Sequence, residues 1–285
     1  MISIVEYLVI FKNVPNSHVG WVGVKLKVCT FNVNSIRARK DLVTTWLTQR
    51  AGDIDVLCLQ EIKVVDEKFP HTAFNDLGFH CHVYGQKRYN GVALCSKLPL
   101  ERVNKGFEDD YWNQQKRLMT GRVGDITIIN VYVPHGDVRG TAKHEYKLEW
   151  YNRFLQFMNG EHSPDENIVV LGDFNVARDD RDVYDAKLLE DTIGTMAEER
   201  ASFTALLTWG LTDVFRHRHG EKKQFTWWDY IGGAIWKGEG MRIDYILCTK
   251  PLLQRVTSVD VDIWPRRRRS PTPSDHAPVI IDLTS

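Results

Sequence analysis

Several short polar motifs stand at the ends of apolar runs, where a strand selected for stability alone would not place them. Val28-Cys29-Thr30-Phe31 runs into Asn32 and Asn34, and Val56-Leu57-Cys58-Leu59 runs into Gln60-Glu61. Ile168-Val169-Val170-Leu171 runs into Gly172-Asp173-Phe174-Asn175, and Ile128 to Val131 leads to Tyr132-Val133-Pro134. Toward the C-terminus come Arg242-Ile243-Asp244-Tyr245 and Ser274-Asp275-His276-Ala277-Pro278. Uncompensated buried carboxylates are costly, so a chain that gathers several at strand ends supplies them with a cation or a shared proton. Oxygen and amide ligands without cysteine suit Mg2+ or Mn2+ rather than zinc. Taken singly, each acid is more simply a helix cap or a turn. Taken together they fit metal-assisted hydrolysis of a phosphate ester.

These residues must be brought together by elements spread over nearly the whole chain. Alternating strand-like and helix-like segments begin at about Lys25. The strands expected are Leu26–Phe31, Asp55–Leu59, Gly91–Ser96, Ile126–Val133, Ile168–Leu171, Arg242–Leu247 and Val279–Leu283. Helices are expected over Ala38–Gln49, Thr141–Met158 and Glu198–Trp209, the last capped by Gly210. The stripe Trp150, Tyr151, Phe154, Leu155 and Met158 reads as core.

Composition sets limits on these readings. The 37 Lys+Arg balance the 37 Asp+Glu, so no global basic field draws the chain to nucleic acid, although a local basic groove is compatible with that balance. The one dense basic run, Arg266-Arg267-Arg268-Arg269, lies in a Pro-rich loop and reads equally as a solvated face or a DNA contact. Cys29, Cys58, Cys81, Cys95 and Cys248 have no CxxC spacing and are expected as free core thiols of a reducing, intracellular (cytoplasmic) protein. His80-Cys81-His82 is expected on a strand and His217-Arg218-His219 on an exposed turn, neither as a metal site. The apolar stretch Tyr7–Phe11 is too short to span a membrane. Val24-Lys25-Leu26-Lys27 leads straight into the first strand, so residues 1–23 are expected to be a dispensable extension and residues 24–285 a single catalytic domain.

The motifs resemble those of the exonuclease III type of abasic-site endonuclease, within the endonuclease/exonuclease/phosphatase superfamily. The resemblance runs from about Lys25 to Leu283. It is carried by Phe31–Arg37, Leu59–Lys63, Asn90–Ala93, Asn130–Pro134, Gly172–Asn175, Phe225–Tyr230, Arg242–Asp244 and Ser274–His276. It implies an α/β fold: a four-layer sandwich of two mainly antiparallel mixed sheets, packed face to face with helices outside. The implied activity is Mg2+-dependent cleavage of duplex DNA 5′ to abasic sites, with 3′→5′ exonuclease and 3′-end cleaning on blocked ends. A monomer that does not associate with membranes is expected. Mn2+ is the expected substitute metal.

The resemblance also implies roles. Glu61 is the principal metal ligand, with Asn32 and Asp275 assisting and Asp173, Asn175 and His276 also meeting the metal. Asp173 orients or deprotonates the attacking water, Asn175 donates to phosphate or nucleophile, and Tyr132 contacts the phosphate. His276 clamps the phosphate while Asp244 orients its ring; whether Asp173 or His276 is the base stays open, with Asp173 favoured. Trp227, Met241 and Ile243 match the family's pocket for a base-less sugar, and Asn34 and His135 are further substrate contacts. Three positions depart from relatives: Met241 replaces a bulkier Trp, His135 an Asn or Gln, and Asn34 an Asp. Other phosphodiesterases of the superfamily (a nonspecific nuclease, a lipid phosphodiesterase, an inositol phosphatase) and a non-catalytic DNA-binding module are the alternatives.

Overall fold

The computed structural model describes residues 25–284, so the reading of residues 1–23 as an extension lies outside the described residues. Two six-stranded mixed sheets pack against each other. The first has the order β13-β14-β1-β2-β4-β3. Its strands are β1 (Lys25–Asn32), β2 (Val56–Gln60), β3 (His80–Tyr84), β4 (Val92–Ser96), β13 (Val256–Val261) and β14 (Val279–Thr284). The second has the order β5-β6-β7-β8-β12-β9. It comprises β5 (Glu101–Lys105), β6 (Leu118–Val123), β7 (Ile126–Tyr132), β8 (Ile168–Asp173), β9 (Leu211–Asp213) and β12 (Asp244–Thr249). A two-stranded ribbon of β10 (Trp227–Trp228) and β11 (Gly240–Met241) stands apart.

Each sheet has one central parallel pair, β1 with β2 and β7 with β8, amid antiparallel neighbours. A parallel pair needs a crossover, and a helix supplies it each time: α1 (Ile36–Gln49) and α2 (Ala142–Glu161). A third helix, α3 (Ala197–Trp209), packs beside α2 and ends at Gly210 as expected. The expected strands and helices are all present, with no end moved by more than three residues.

The period of two along a strand decides which residues reach the site. In β1, Val28 faces the core between the sheets, while Cys29 and Phe31 face the layer under α1 with Trp46. Ile129, Val131, Trp150, Phe154 and Phe203 form the corresponding outer layer of the second sheet. Four layers result, helix, sheet, sheet and helix, as expected. A buried polar bridge ties the two sheets. Gln60 Nε2 donates to Asn130 Oδ1 at 2.7 Å, and Asn130 Nδ2 donates to the Leu59 and Ala93 carbonyls at 3.1 and 2.9 Å.

Three expectations need correction. Cys81 and Cys95 are not free thiols but a disulfide, because β3 and β4 pair in a register that sets them opposite each other. Cys29, Cys58 and Cys248 are free and buried as expected. His217-Arg218-His219 ends a short helix, Val214–His219, rather than a turn, and His219 Nε2 meets the Val259 carbonyl at 2.8 Å. Arg266 is no part of a solvated basic face: it is 5% exposed, and its guanidinium donates to the carbonyls of Trp228, Asp229 and Asp275. Arg267, Arg268 and Arg269 are exposed. No helix among the described residues is long and apolar enough to cross a membrane.

Candidate active site

The C-terminal ends of β1, β2, β7 and β8 converge with the start of β12 and the segment before β14. Register does most of the assembly: Tyr132 pairs with Asp173 across β7 and β8, and Asp173 pairs with Asp244 across β8 and β12. Gly172 permits the close approach of β7, since a Cβ there, at φ +149°, would lie 1.9 Å from the Val131 carbonyl oxygen. That accounts for the glycine of the Gly-Asp-x-Asn motif.

Asn32 is fully buried, and its amide nitrogen donates to both Glu61 Oε1 and Asp173 Oδ2, each at 2.8 Å. Its Oδ1 accepts from the Asn34 N–H at 3.0 Å. The side chain thus reaches the expected cluster, with its donors rather than its oxygen turned to the carboxylates. Glu61 sits just past β2 at φ 48°. Its Oε2 is 2.7 Å from Lys63 Nζ, which also donates to Asn34 Oδ1 at 2.5 Å. Lys63 lay inside a recognised motif without a role; an i+2 lysine after a strand-end acid was the available signal.

The Asp173 Oδ1 accepts from the Asn175 N–H at 2.9 Å, and Asn175 Nδ2 donates to the Val133 carbonyl at 2.9 Å. His276 Nδ1 is 2.9 Å from Asp244 Oδ2, and its Nε2 is 3.8 Å from Asp173 Oδ2. Glu61, Asp173 and His276 each offer one ligand atom within 4.8 Å of the others. Asp275 stands beside this set with both oxygens engaged, Oδ2 by Trp227 Nε1 at 3.0 Å and Oδ1 by Asn34 Nδ2 at 2.9 Å.

Charge in the cluster is strongly coupled. Burial, reinforced by Asp244 and Glu61 against the opposing His276, pushes the Asp173 carboxyl up to about 7. Burial works against a charged His276, but Asp244 and then Asp173 outweigh it and raise the imidazole to about 10. Burial also works against the Glu61 carboxylate, yet Lys63 and Asn32 hold its pKa below the ordinary value. Asp275 is lowered in the same way, with burial outweighed by His276, Trp227 and Asn34. The Tyr132 phenol is raised well above its usual value by burial and by Glu61, with the Arg117 guanidinium 4.5 Å over its ring.

The cluster opens into a cavity of about 1230 Å³. Glu61, Tyr132, Asn175, Asp275 and His276 line one part, and Trp227, Met241 and Ile243 another. Met241 and Ile243 pack with Ala177 and Val183, and the half-buried Trp227 packs against them, so the three residues share one wall of the cavity. His135 is exposed at the rim, and Asn34 lies behind the cluster, bonded to Asp275. The remaining wall, which includes Leu189, Ile193, Gly194 and Met196, was not foreseen. Those residues form an irregular loop with no periodicity to mark it.

Known proteins place this geometry in context. A profile of the Endonuclease/Exonuclease/phosphatase family matches residues 29–276. The exodeoxyribonuclease III of Haemophilus influenzae is 34% identical over 266 residues, covering 89% of this chain and 98% of that protein. The structure of an AP endonuclease from Archaeoglobus fulgidus superposes with a TM-score of 0.85 at 36% identity, covering 90% of this chain and 98% of the other. A 3′ phosphatase from Neisseria, bound to a product DNA hairpin, gives a TM-score of 0.85 at 35% identity, covering 91% and 100%.

Proposed function

The chain belongs to the endonuclease/exonuclease/phosphatase family, within its exonuclease III and AP endonuclease branch, and on that premise we propose that it is a Mg2+-dependent DNA repair nuclease. It cuts the backbone 5′ to an abasic site, leaving a 3′-hydroxyl and a 5′ sugar phosphate, and trims 3′ ends. The observation that carries the reading is the contiguity of two surfaces in one cavity. The Glu61–Asp173–His276 cluster meets the phosphate there, and the apolar Trp227–Met241–Ile243 lining takes the flipped-out sugar. The likeness to a phosphatase bound to product DNA supports a nucleic-acid substrate.

The residues fit a hard divalent cation: Glu61 and Asp173 supply oxygens, and the crowding that lifts Asp173 toward neutrality is what a cation relieves. Bound there, chiefly by Glu61, Mg2+ or Mn2+ supplies charge neutralisation at a phosphate oxygen and at the departing 3′ oxygen. Asp173 accepts the proton of the attacking water. His276 in its charged form has no lone pair to give a metal, so it serves as a phosphate clamp, with Asp244 fixing its ring. Asn175 commits one amide hydrogen to Val133, and the second donates to the phosphate or the nucleophile. Tyr132 adds a phenol donor, steadied by Arg117.

The test is a duplex carrying a tetrahydrofuran lesion. It is expected to be nicked with Mg2+ and spared with EDTA, while undamaged duplex is spared in both. Equal cleavage of undamaged duplex would sink the abasic specificity.

A further inference from the structure

Asn175 is a non-glycine residue in the left-handed region, at φ 51°. Such a backbone is uncommon outside glycine and is kept where the surroundings hold it. Two of its restraints belong to the site itself, the bonds to Asp173 and Val133. The third comes from outside: Lys147 Nζ donates to the Asn175 carbonyl at 2.7 Å.

Lys147 lies on α2 and is fully buried. Its ammonium is 2.5 Å from Glu199 Oε1 on α3, also fully buried, and donates to the His135 carbonyl at 3.1 Å. All three ammonium hydrogens therefore have acceptors. Glu199 Oε2 accepts from the Gly194 N–H at 2.7 Å and the Met196 N–H at 3.2 Å. One ion pair thus grips three segments that line the cavity: His135 at the rim, Asn175 beside the carboxylates, and the Gly194–Met196 wall.

A buried ion pair is a poor device for stability, since well-packed apolar residues of similar volume are often as stable or more so. What an apolar pair lacks is directional hold on carbonyl and N–H groups of separate loops. We propose that Lys147, backed by Glu199, is a positioning residue. It fixes the Asn175 turn, so that the Asn175 amide and the Gly194–Met196 wall keep a set relation to the phosphate. This rests on the nuclease reading above, in which Asn175 donates to the phosphate or the nucleophile.

A double-mutant cycle in the full chain tests it. Lys147→Met is made alone, with Glu199→Gln to remove the stranded carboxylate, and in an Asn175→Ala background. On the lesion duplex with Mg2+, Lys147→Met/Glu199→Gln is expected to lose about 100-fold in kcat, the scale of a misplaced catalytic group. Its KM stays within about threefold and its Tm close to that of the parent. In the Asn175→Ala background the same pair of changes should cost less than about threefold, because a residue that acts through Asn175 has nothing left to act on. Fully additive losses, or a kcat that recovers together with Tm in the Lys147→Met/Glu199→Gln chain, would overturn the proposal. If Lys147→Met chains do not fold, Lys147→Arg takes their place in the cycle: the same coupling supports the proposal, and an unchanged kcat overturns it. Should the unmodified protein spare the lesion duplex, the abasic-site reading fails at that point, separately from the positioning proposal. The cycle is then read on undamaged or 3′-phosphate duplex, whichever is cleaved.

Discussion

Asp244 holds the Nδ1 edge of the His276 ring at 2.9 Å, with both residues almost wholly buried. An isolated buried imidazole would shed its proton, but this one keeps it to about pH 10 because Asp244 and Asp173 outweigh the cost of burial. The His276 ring is thereby a fixed positive charge inside a cavity otherwise rich in acids.

That arrangement sets a pH dependence in the metal-free protein. The folded-state value of about 10 stands above the roughly 6.5 of an unfolded histidine, so the folded chain binds the proton more tightly. The resulting stabilisation is complete below about pH 6.5 and is lost as pH rises through about 10. Asp244→Asn is expected to flatten the fall in Tm over that window, as followed by thermal melts in EDTA. A slope identical to that of the parent would refute the assignment.

Asp173 has the opposite consequence for stability. Its pKa of about 7 lies above the ~3.9 of an unfolded aspartate, so ionisation penalises the folded state increasingly from about pH 4 to about pH 7. Asp173→Asn is therefore expected to raise the metal-free Tm at pH 8 while lowering lesion nicking by about 10²–10⁴-fold. Retained nicking would remove Asp173 from the role of base.

Cation binding should follow the same acid. As pH rises through about 7, Asp173 becomes available, so Mg2+ is expected to raise Tm more at pH 8 than at pH 5.5. Saturation at 100 times Kd corresponds to about 2.7 kcal/mol. Glu61→Gln should abolish most of the Mg2+-induced shift, and EDTA should abolish nicking. A Tm that ignores Mg2+ at both pH values would count against a site on Glu61 and Asp173.

In the apolar half of the cavity, Trp227→Ala removes a half-buried ring that also donates to Asp275. A lost apolar contact of about 1.5–3 kcal/mol predicts roughly a 10–100-fold fall in kcat/KM on the lesion duplex. Met241→Trp should instead narrow the pocket and widen the ratio of lesion to undamaged cleavage. An unchanged ratio would separate Met241 from specificity.

The four consecutive arginines should divide into two behaviours. Arg266→Ala takes the guanidinium donor from the Trp228 and Asp229 carbonyls and leaves the Asp275 carbonyl only the Trp228 N–H; a lost buried bond is worth about 1–3 kcal/mol, so Tm should fall. Arg268→Ala should leave Tm alone; if the exposed arginines touch DNA, it also lessens the salt dependence of binding by about one phosphate contact. Equal Tm losses for the two variants would contradict the burial pattern.

Much of the site was legible because its residues sit where apolar strands stop, and strand ends are visible in sequence. Glu61 and Asp173 announce themselves by being polar after an apolar run, and Asp244 and His276 by standing just before one. Arg117 and Lys147 do not, since their importance comes from partners well separated from them in the chain. Strands such as β5 and β13 carry no apolar run because each is a half-exposed edge strand. The Cys81–Cys95 pair was missed for a related reason: it depends on the register of two strands, which spacing alone does not reveal. Arg266 was misread because a run of like residues hides which one points inward.

The side-by-side rungs Tyr132–Asp173 and Asp173–Asp244 have an implication for how this chain tolerates length changes. Adding one residue within β7, β8 or β12 would turn the reactive side chain to the opposite face of the sheet. Adding two would restore the face but displace it by about 6.6 Å, beyond reach of its partners. Insertions and deletions should therefore be confined to the connecting loops. Selection on length in those three strands would act on reactivity before it acted on folding.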